Sequence, residues 1–230
     1  MHTSHPALPD TRPLASAHRA GNELALALKA IDMGADLLET DIWSHLGGLE
    51  IRHLKTFGPI PLMWDKWYIH GWMRDRLRLQ TLLDDLPNDL RLFLDLKGYH
   101  PWLGKRIVSS IRKAHPERQI LLCGRNWRQL DPVARMPNVF VFYSVGDEKQ
   151  LGKVWAKLEG MPHPAISINF RLLTEDVIAR LKDRGAVIVA WTVNDPATAR
   201  RLWDLGVDCF TSDNQDLLAD IVARREKAFT

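Results

Sequence analysis

The sequence predicts a single-domain (β/α)8 TIM barrel. Three observations carry that expectation. Strand-like runs alternate with helix-period runs along nearly the whole chain, and eight strands are counted once a short hairpin return after the second is set aside. The 230 residues, 46% apolar and 26% charged, suffice for one sizeable core. Polar residues interrupt the apolar strands at their C-terminal ends, where a parallel barrel places its chemistry. A doubly wound open sheet is the alternative arrangement of the same elements.

Residues 1–13 are rich in His, Pro and Thr and read as a flexible tail, leaving 14–230 as the barrel domain. The first strand is Leu14–Ala17, ending at His18. A helix follows, with Leu24, Leu28 and Ile31 at helical spacing and Gly34 as its stop. The second strand is Leu37–Ile42, and a hairpin through Gly47 and Gly48 returns over Leu49–His53. From Lys55 to Arg78, Gly58, Pro59, Pro61 and Gly71 make the chain read as loop. A helix is expected within Arg76–Leu86 and the third strand at Arg91–Leu96. Later strands fall at Gln119–Cys123, Val139–Tyr143, Ala165–Asn169, Ala186–Trp191 and Val207–Thr211. Helices between them are expected at Trp102–Ala114, Asn126–Ala134, Glu148–Leu158, Thr174–Asp183 and Ala197–Leu205, with Gln215–Ala223 last.

The formal charge of +3 is too weak to argue for nucleic acid, though it suits an anionic substrate or a membrane surface. Cys123 and Cys209 lie in apolar strands and read as buried free thiols. No run of about 18 apolar residues and no secretion signal is seen, so the protein is expected to be cytoplasmic.

Glu39 and Asp41 are two apart on a strand and share a face. Asp95 ends the next strand and can reach the same point. Three converging carboxylates call for a hard cation, Mg²⁺ or Ca²⁺. The plainer reading makes them solvated acids or partners of Arg19 and Lys97. His18 and His53 stand at the same strand mouths, while the other seven histidines read as surface residues. Two histidines near neutral pKa, three acids and two cations form an economical set for phosphoryl transfer.

At these residues the chain resembles the glycerophosphodiester phosphodiesterase family. Ala17-His18-Arg19-Ala20-Gly21 is similar to the family's opening His-Arg-Gly, with one residue inserted. Gly34-Ala35-Asp36-Leu37-Leu38-Glu39-Thr40-Asp41 is the most specific match. His53 falls at the second catalytic histidine, and Asp95-Leu96-Lys97 resembles the acidic-x-Lys strand. Trp191-Thr192-Val193-Asn194 and Gly206-Val207-Asp208 through Thr211-Ser212-Asp213 resemble the last two strands. The resemblance implies that Glu39, Asp41 and Asp95 hold one divalent cation. It implies that His18 and His53 are acid and base, that Arg19 and Lys97 contact phosphate, and that Trp191 walls the pocket. Glu23 is expected as a hydroxyl-binding group, and Asp213 as a cap on the last helix or a tie across the barrel.

The chain departs from the family in having Leu54 where a carboxylate follows the second histidine, and Gly21-Asn22-Glu23-Leu24 in place of Pro-Glu-Asn-Thr. Residues Lys55–Arg78 hold Trp64, Trp67, Tyr68 and Trp72 among Lys55, Lys66 and Arg74. They read either as a covering loop or, over 64–72, as a peripheral membrane contact. The expected substrate is a small-molecule or lipid-derived phosphodiester. The alternatives are a phospholipase D or sphingomyelinase D type of cleavage that ends at a cyclic phosphate, and a ligand-binding barrel without catalysis.

Overall fold

The computed structural model describes residues 4–57, 60–65, 68–72 and 77–227. In chain order the elements are β1 (Leu14–Ala17), α1 (Leu24–Asp32), β2 (Leu37–His45), β3 (Gly48–Ile51), β4 (Lys55–Phe57), β5 (Ile60–Asp65), β6 (Tyr68–Trp72), α2 (Leu79–Asp85) and β7 (Leu92–Leu96). The second half continues with α3 (Leu103–Ala114), β8 (Ile120–Gly124), β9 (Val139–Val145), α4 (Glu148–Leu158), β10 (Ala165–Asn169), α5 (Glu175–Lys182), β11 (Val187–Trp191), α6 (Pro196–Asp204), β12 (Cys209–Ser212) and α7 (Gln215–Lys227). Eight parallel strands run β1-β2-β7-β8-β9-β10-β11-β12 and close on β1, so the protein is a (β/α)8 barrel rather than an open sheet. β3 folds back antiparallel on β2 as the expected hairpin.

Inward side chains of the lower strands, among them Leu14, Leu37, Phe93, Leu121, Phe142 and Val187, fill the barrel. The outward ones pack under the helices. Residue types explain which faces are buried. On α1, Ala27 and Ala30 are the fully buried contacts, the expected Leu24 and Ile31 pack against the core part-buried, and Leu28 alone of the expected row is exposed.

Three expectations are corrected. The flexible tail is, from residue 4 on, a plug in the barrel floor: Ala7 and Leu8 join the inner core, and Arg12 pairs with buried Asp208. The Lys55–Arg78 loop contains a separate three-stranded antiparallel sheet, β4-β5-β6. Its glycines and prolines outweighed a strong β signal from Thr56, Phe57, Ile60, Trp64, Tyr68, Ile69 and Trp72. Lys66, Trp67 and Arg74 lie outside the described residues. The helix expected over Asn126–Ala134 is a short 3-10 turn, Trp127–Gln129, followed by turns; Pro132 has no N–H to donate there. No described helix is long and apolar enough to cross a membrane.

The plug carries a pH-sensitive residue. His5 is a buried rather than a surface histidine, packed against Phe140, Phe142 and His163. Its Nδ1 accepts the Ala7 N–H, which requires the neutral ring. Burial, with His163 and Arg12 adding to it, lowers its pKa to about 4. The unfolded chain binds this proton below about pH 6.5 and the folded chain does not. Stability therefore falls as pH drops from about 6.5 to about 4, by on the order of 3 kcal/mol from this group. His5→Phe keeps the ring and should flatten that slope in urea titrations; an unchanged slope would show that His5 is not buried neutral.

Candidate active site

The site is built where the turn after β1 folds over β2. Arg19 takes a left-handed backbone conformation (φ 56°), and a 3-10 turn over Ala20–Asn22 lays the chain on Glu39-Thr40-Asp41. Each residue of that triplet is engaged. The Arg19 N–H donates to Glu39 Oε2 at 2.7 Å. Gly21 lies so close to Thr40 that an added Cβ would stand 1.8 Å from its Oγ1. Asn22 brackets Asp41, donating from Nδ2 to Oδ2 and accepting the Asp41 N–H at Oδ1, both at 2.8 Å.

Asp41 is paired in register with Asp95 across β2 and β7, so the expected convergence is built by strand pairing. Oxygens of Glu39, Asp41 and Asp95 lie within 4.8 Å of one another. Lys97 Nζ sits 2.7 Å from Asp41 Oδ1 and also contacts Asp95. Burial alone would lower the Lys97 pKa, but Asp95, Asp41 and Glu39 together hold it above its ordinary value. Burial works against ionised Asp41, yet His53, Lys97 and Asn22 hold it below the usual carboxylate range. Glu39 goes the other way: burial, then Asp41 and Asp95, push it well above. A buried carboxyl that resists ionisation beside two acids marks a place short of positive charge. Three hard oxygen donors fit Mg²⁺ or Ca²⁺, with Lys97 sharing the neutralisation.

The two histidines flank this cluster. His18 Nδ1 is 2.6 Å from Asp213 Oδ1, and its Nε2 is 4.0 Å from Glu39. Burial lowers the His18 pKa against the opposing bond from Asp213. His53 Nδ1 is 3.1 Å from Asp41 Oδ2, and its Nε2 is 3.9 Å from Asp65 on β5. Each imidazole is thus oriented through Nδ1, and neither Nε2 has a hydrogen-bond partner among the described residues.

Of the two expectations for Asp213, the structure shows the tie across the barrel, through His18 and Asn194, and not the helix cap. Asn214 takes the capping role, accepting the Leu217 N–H. Asn194 fixes Asp213 by donating to its Oδ2 and accepting its N–H. Glu23 is exposed at the start of α1 and lines neither of the cavities at the site, and Asn22 faces the acids instead. Arg19 and Trp191 do line the inner cavity. Sequence reasoning passed over Asn22, Asp65 and Arg125. Arg125 directly follows β8, the position where a barrel places site residues.

Two cavities meet at Asp95, Lys97 and Arg125. The inner chamber, about 250 Å³, is lined by His18, Glu39 and Trp191 and floored by buried Cys123. The outer trough, about 800 Å³, is lined by His53, Trp43, Lys55, Trp64 and Tyr99.

Residues 101–217 match the family described as the glycerophosphoryl diester phosphodiesterase family. No curated protein sequence matches the chain. Among solved structures, a Silicibacter pomeroyi protein provisionally named a glycerophosphoryl diester phosphodiesterase superposes with a TM-score of 0.76 at 16% identity, covering 97% of this chain and 96% of that one. An Oleispira antarctica phosphodiesterase, solved with the product sn-glycerol-3-phosphate, superposes at 0.71 and 18% identity, covering 94% and 97%. A Thermotoga maritima glycerophosphodiester phosphodiesterase superposes at 0.69 and 18% identity, covering 91% and 98%. These likenesses extend the fold match to nearly the whole chain.

Gly21→Ala should dislodge the turn over β2, destabilising the protein by about 2–4 kcal/mol, the scale of a steric conflict in a packed core. Thr40→Ala removes the nearest atom and should recover part of the loss in a double-mutant cycle of thermal melts. Additive losses would show that the two residues are not in contact.

Proposed function

The chain belongs to the glycerophosphoryl diester phosphodiesterase family and is a phosphodiester hydrolase, and from that premise we propose that it cleaves glycerophosphodiesters with His18 as base and His53 as acid, assisted by one divalent cation at Glu39, Asp41 and Asp95. One observation carries the reading. The two imidazoles flank the acidic cluster, each held at Nδ1 by a carboxylate, and each lines a different cavity.

The inner chamber has room for a glycerol phosphate and the trough for its leaving alcohol. His18 Nε2, neutral because burial lowers its pKa, accepts the proton of the glycerol hydroxyl next to the phosphate. That oxygen attacks phosphorus and the bond to the leaving alcohol breaks. His53, facing the trough, protonates the departing oxygen. Water then opens the cyclic phosphate with the roles reversed: His53 takes a proton from water, and His18 returns its proton to the glycerol oxygen. Tethering the nucleophile removes much of the entropic cost. Arg19 and Lys97 contact the phosphoryl oxygens, and Trp191 holds the glycerol against the chamber wall. The cation, when bound, neutralises charge that develops on those oxygens.

The exposed Tyr68, Ile69 and Trp72 of β6 support peripheral contact of 64–72 with a lipid surface, where such diesters arise. The small inner chamber favours a deacylated glycerol over one that carries a chain. Buried free thiols support the reading of a reducing, cytoplasmic setting.

Roles are separable by leaving group. With an alkyl leaving alcohol, His18→Ala and His53→Ala should each lower kcat at least about 100-fold. With p-nitrophenolate, which departs without protonation, His53→Ala should recover most of the rate of the first, nitrophenolate-releasing step and His18→Ala none. Removing the substrate's vicinal hydroxyl should abolish turnover in the wild type. Chelation should abolish activity, with Mg²⁺ or Ca²⁺ restoring it in the wild type and not in Glu39→Ala. Turnover that survives complete chelation would rule out the cation. Asp213→Asn should lower kcat about 10²-fold or more with KM little changed, because the wrong tautomer of His18 becomes available. An unchanged kcat would make that contact merely structural.

A further inference from the structure

The mechanism above uses the outer trough only as space, yet the trough has a charge pattern of its own. Two indoles face it, Trp43 and Trp64, and each already carries one of the protein's own cations. The Arg52 guanidinium lies 4.7 Å from the centre of the Trp43 ring, and Lys55 Nζ lies 4.9 Å from that of Trp64. Phe57 stacks on Trp64 at 5.3 Å and stiffens that wall. A quaternary ammonium is bound by open aromatic faces arranged as a cage. Here one face of each indole is taken by a cation, Arg52 being paired with Glu50 as well, and Tyr99 lines the trough with an exposed ring.

The carboxylates of the trough are engaged as well. Asp95 contacts Lys97, and Asp65 stands 3.9 Å from His53. Lys55 has no carboxylate partner among the described residues; its contact is the Trp64 ring. Arg125 stands at the threshold between the two cavities. Its guanidinium is held in place by Asp147 at 2.9 Å and Gln150 at 3.3 Å. Built into the trough are therefore a fixed guanidinium and an ammonium aimed at the half of the substrate that leaves.

We propose that the trough is a specificity subsite for a leaving alcohol that bears a negative charge of its own, such as a phosphate, a second phosphodiester or a carboxylate, and that it discriminates against choline-like leaving groups. Lys55, on the β4-β5-β6 sheet, is the specificity-determining residue, and Arg125 supports it from the end of β8. The inference rests on the phosphodiesterase reading. It deepens that reading by naming the class of alcohol. A unit charge about 5–6 Å from the ligand's charge, at a half-exposed site, changes affinity about tenfold.

The test compares kcat/KM for three diesters that share one glycerophosphoryl half. Glycerophosphocholine has a cationic leaving alcohol and glycerophosphoglycerol a neutral one; fully deacylated cardiolipin has an anionic one. At low ionic strength the anionic diester should exceed the cationic one by at least about tenfold, with the neutral one between, and added salt should compress the series. Lys55→Gln should lower kcat/KM for the anionic diester and raise it for the cationic one. Opposite movements are something a damaged fold does not produce. Lys55→Arg should keep the wild-type order. Equal or better turnover of glycerophosphocholine, or an order that Lys55→Gln leaves unmoved, overturns the proposal. Should none of the three be hydrolysed, the phosphodiesterase reading fails separately. Calorimetric binding of the same three diesters then decides the subsite by the same ordering.

Discussion

Around the carboxylate of Asp41 the site has its electrostatic centre. The group is almost fully buried, and a buried charge is tolerable only when its lone pairs and charge are met from all sides. Three separate segments meet them. Asn22 arrives from the turn after β1, His53 from the hairpin return, and Lys97 from the end of β7. Removing any one would leave the other two arranged around an under-compensated charge. The same demand explains why the β1 turn adopts left-handed backbone at Arg19 and places Gly21 against Thr40. A shorter or bulkier turn would not bring Asn22 down onto the acid.

Glu39 shows the complementary half of that constraint. It shares a strand face with Asp41, but its help comes from one backbone N–H and from Lys97, which is shared by three acids. The cluster therefore divides into an acid whose partners favour its ionised form and an acid whose burial and acidic neighbours disfavour it. A cation brought to the three oxygens would favour the ionised form of the second. Burial of Glu39 and Asp41 within reach of Asp95 is a sharper indication of a cation site than the mere presence of three carboxylates, because solvated surface acids need no added positive charge.

Much of the fold and part of the site were legible in the sequence, and the division has physical causes. Glu39 and Asp41 were readable because strand alternation fixes their shared face. Asp95 was readable because parallel neighbours in a barrel end at the same level. Barrel strands announce themselves as apolar runs because both of their faces are buried. What local pattern cannot carry was missed or left open. A tie by Asp213 across the barrel was one of two expectations, and its partner His18 lies 195 residues away through the closure of the barrel. The plug at Ala7 and Leu8 has polar neighbours in sequence and an apolar cavity in space. The β4-β5-β6 sheet lay under Gly and Pro signals that locally outweigh aromatic residues. Glu23 and Asn22 are adjacent, and only the turn's geometry decides which of them faces the acids.

The missing carboxylate after His53 acquires a different meaning in this arrangement. Where the family has an acid in sequence, the chain has Leu54, which by itself would leave the proposed proton donor without support. Two other carboxylates stand around the ring instead. Asp41 holds Nδ1, and Asp65, delivered by the β4-β5-β6 sheet, lies 3.9 Å from Nε2. That sheet also supplies Lys55 and Trp64 to the trough, so the segment that follows the lost acid both replaces charge near the histidine and shapes the space the leaving alcohol must enter. Support for His53 therefore comes from Asp41 and Asp65 rather than from the residue that follows it in sequence. An account that treats Leu54 as a sign of decay would have no reason to expect a carboxylate from β5 beside His53.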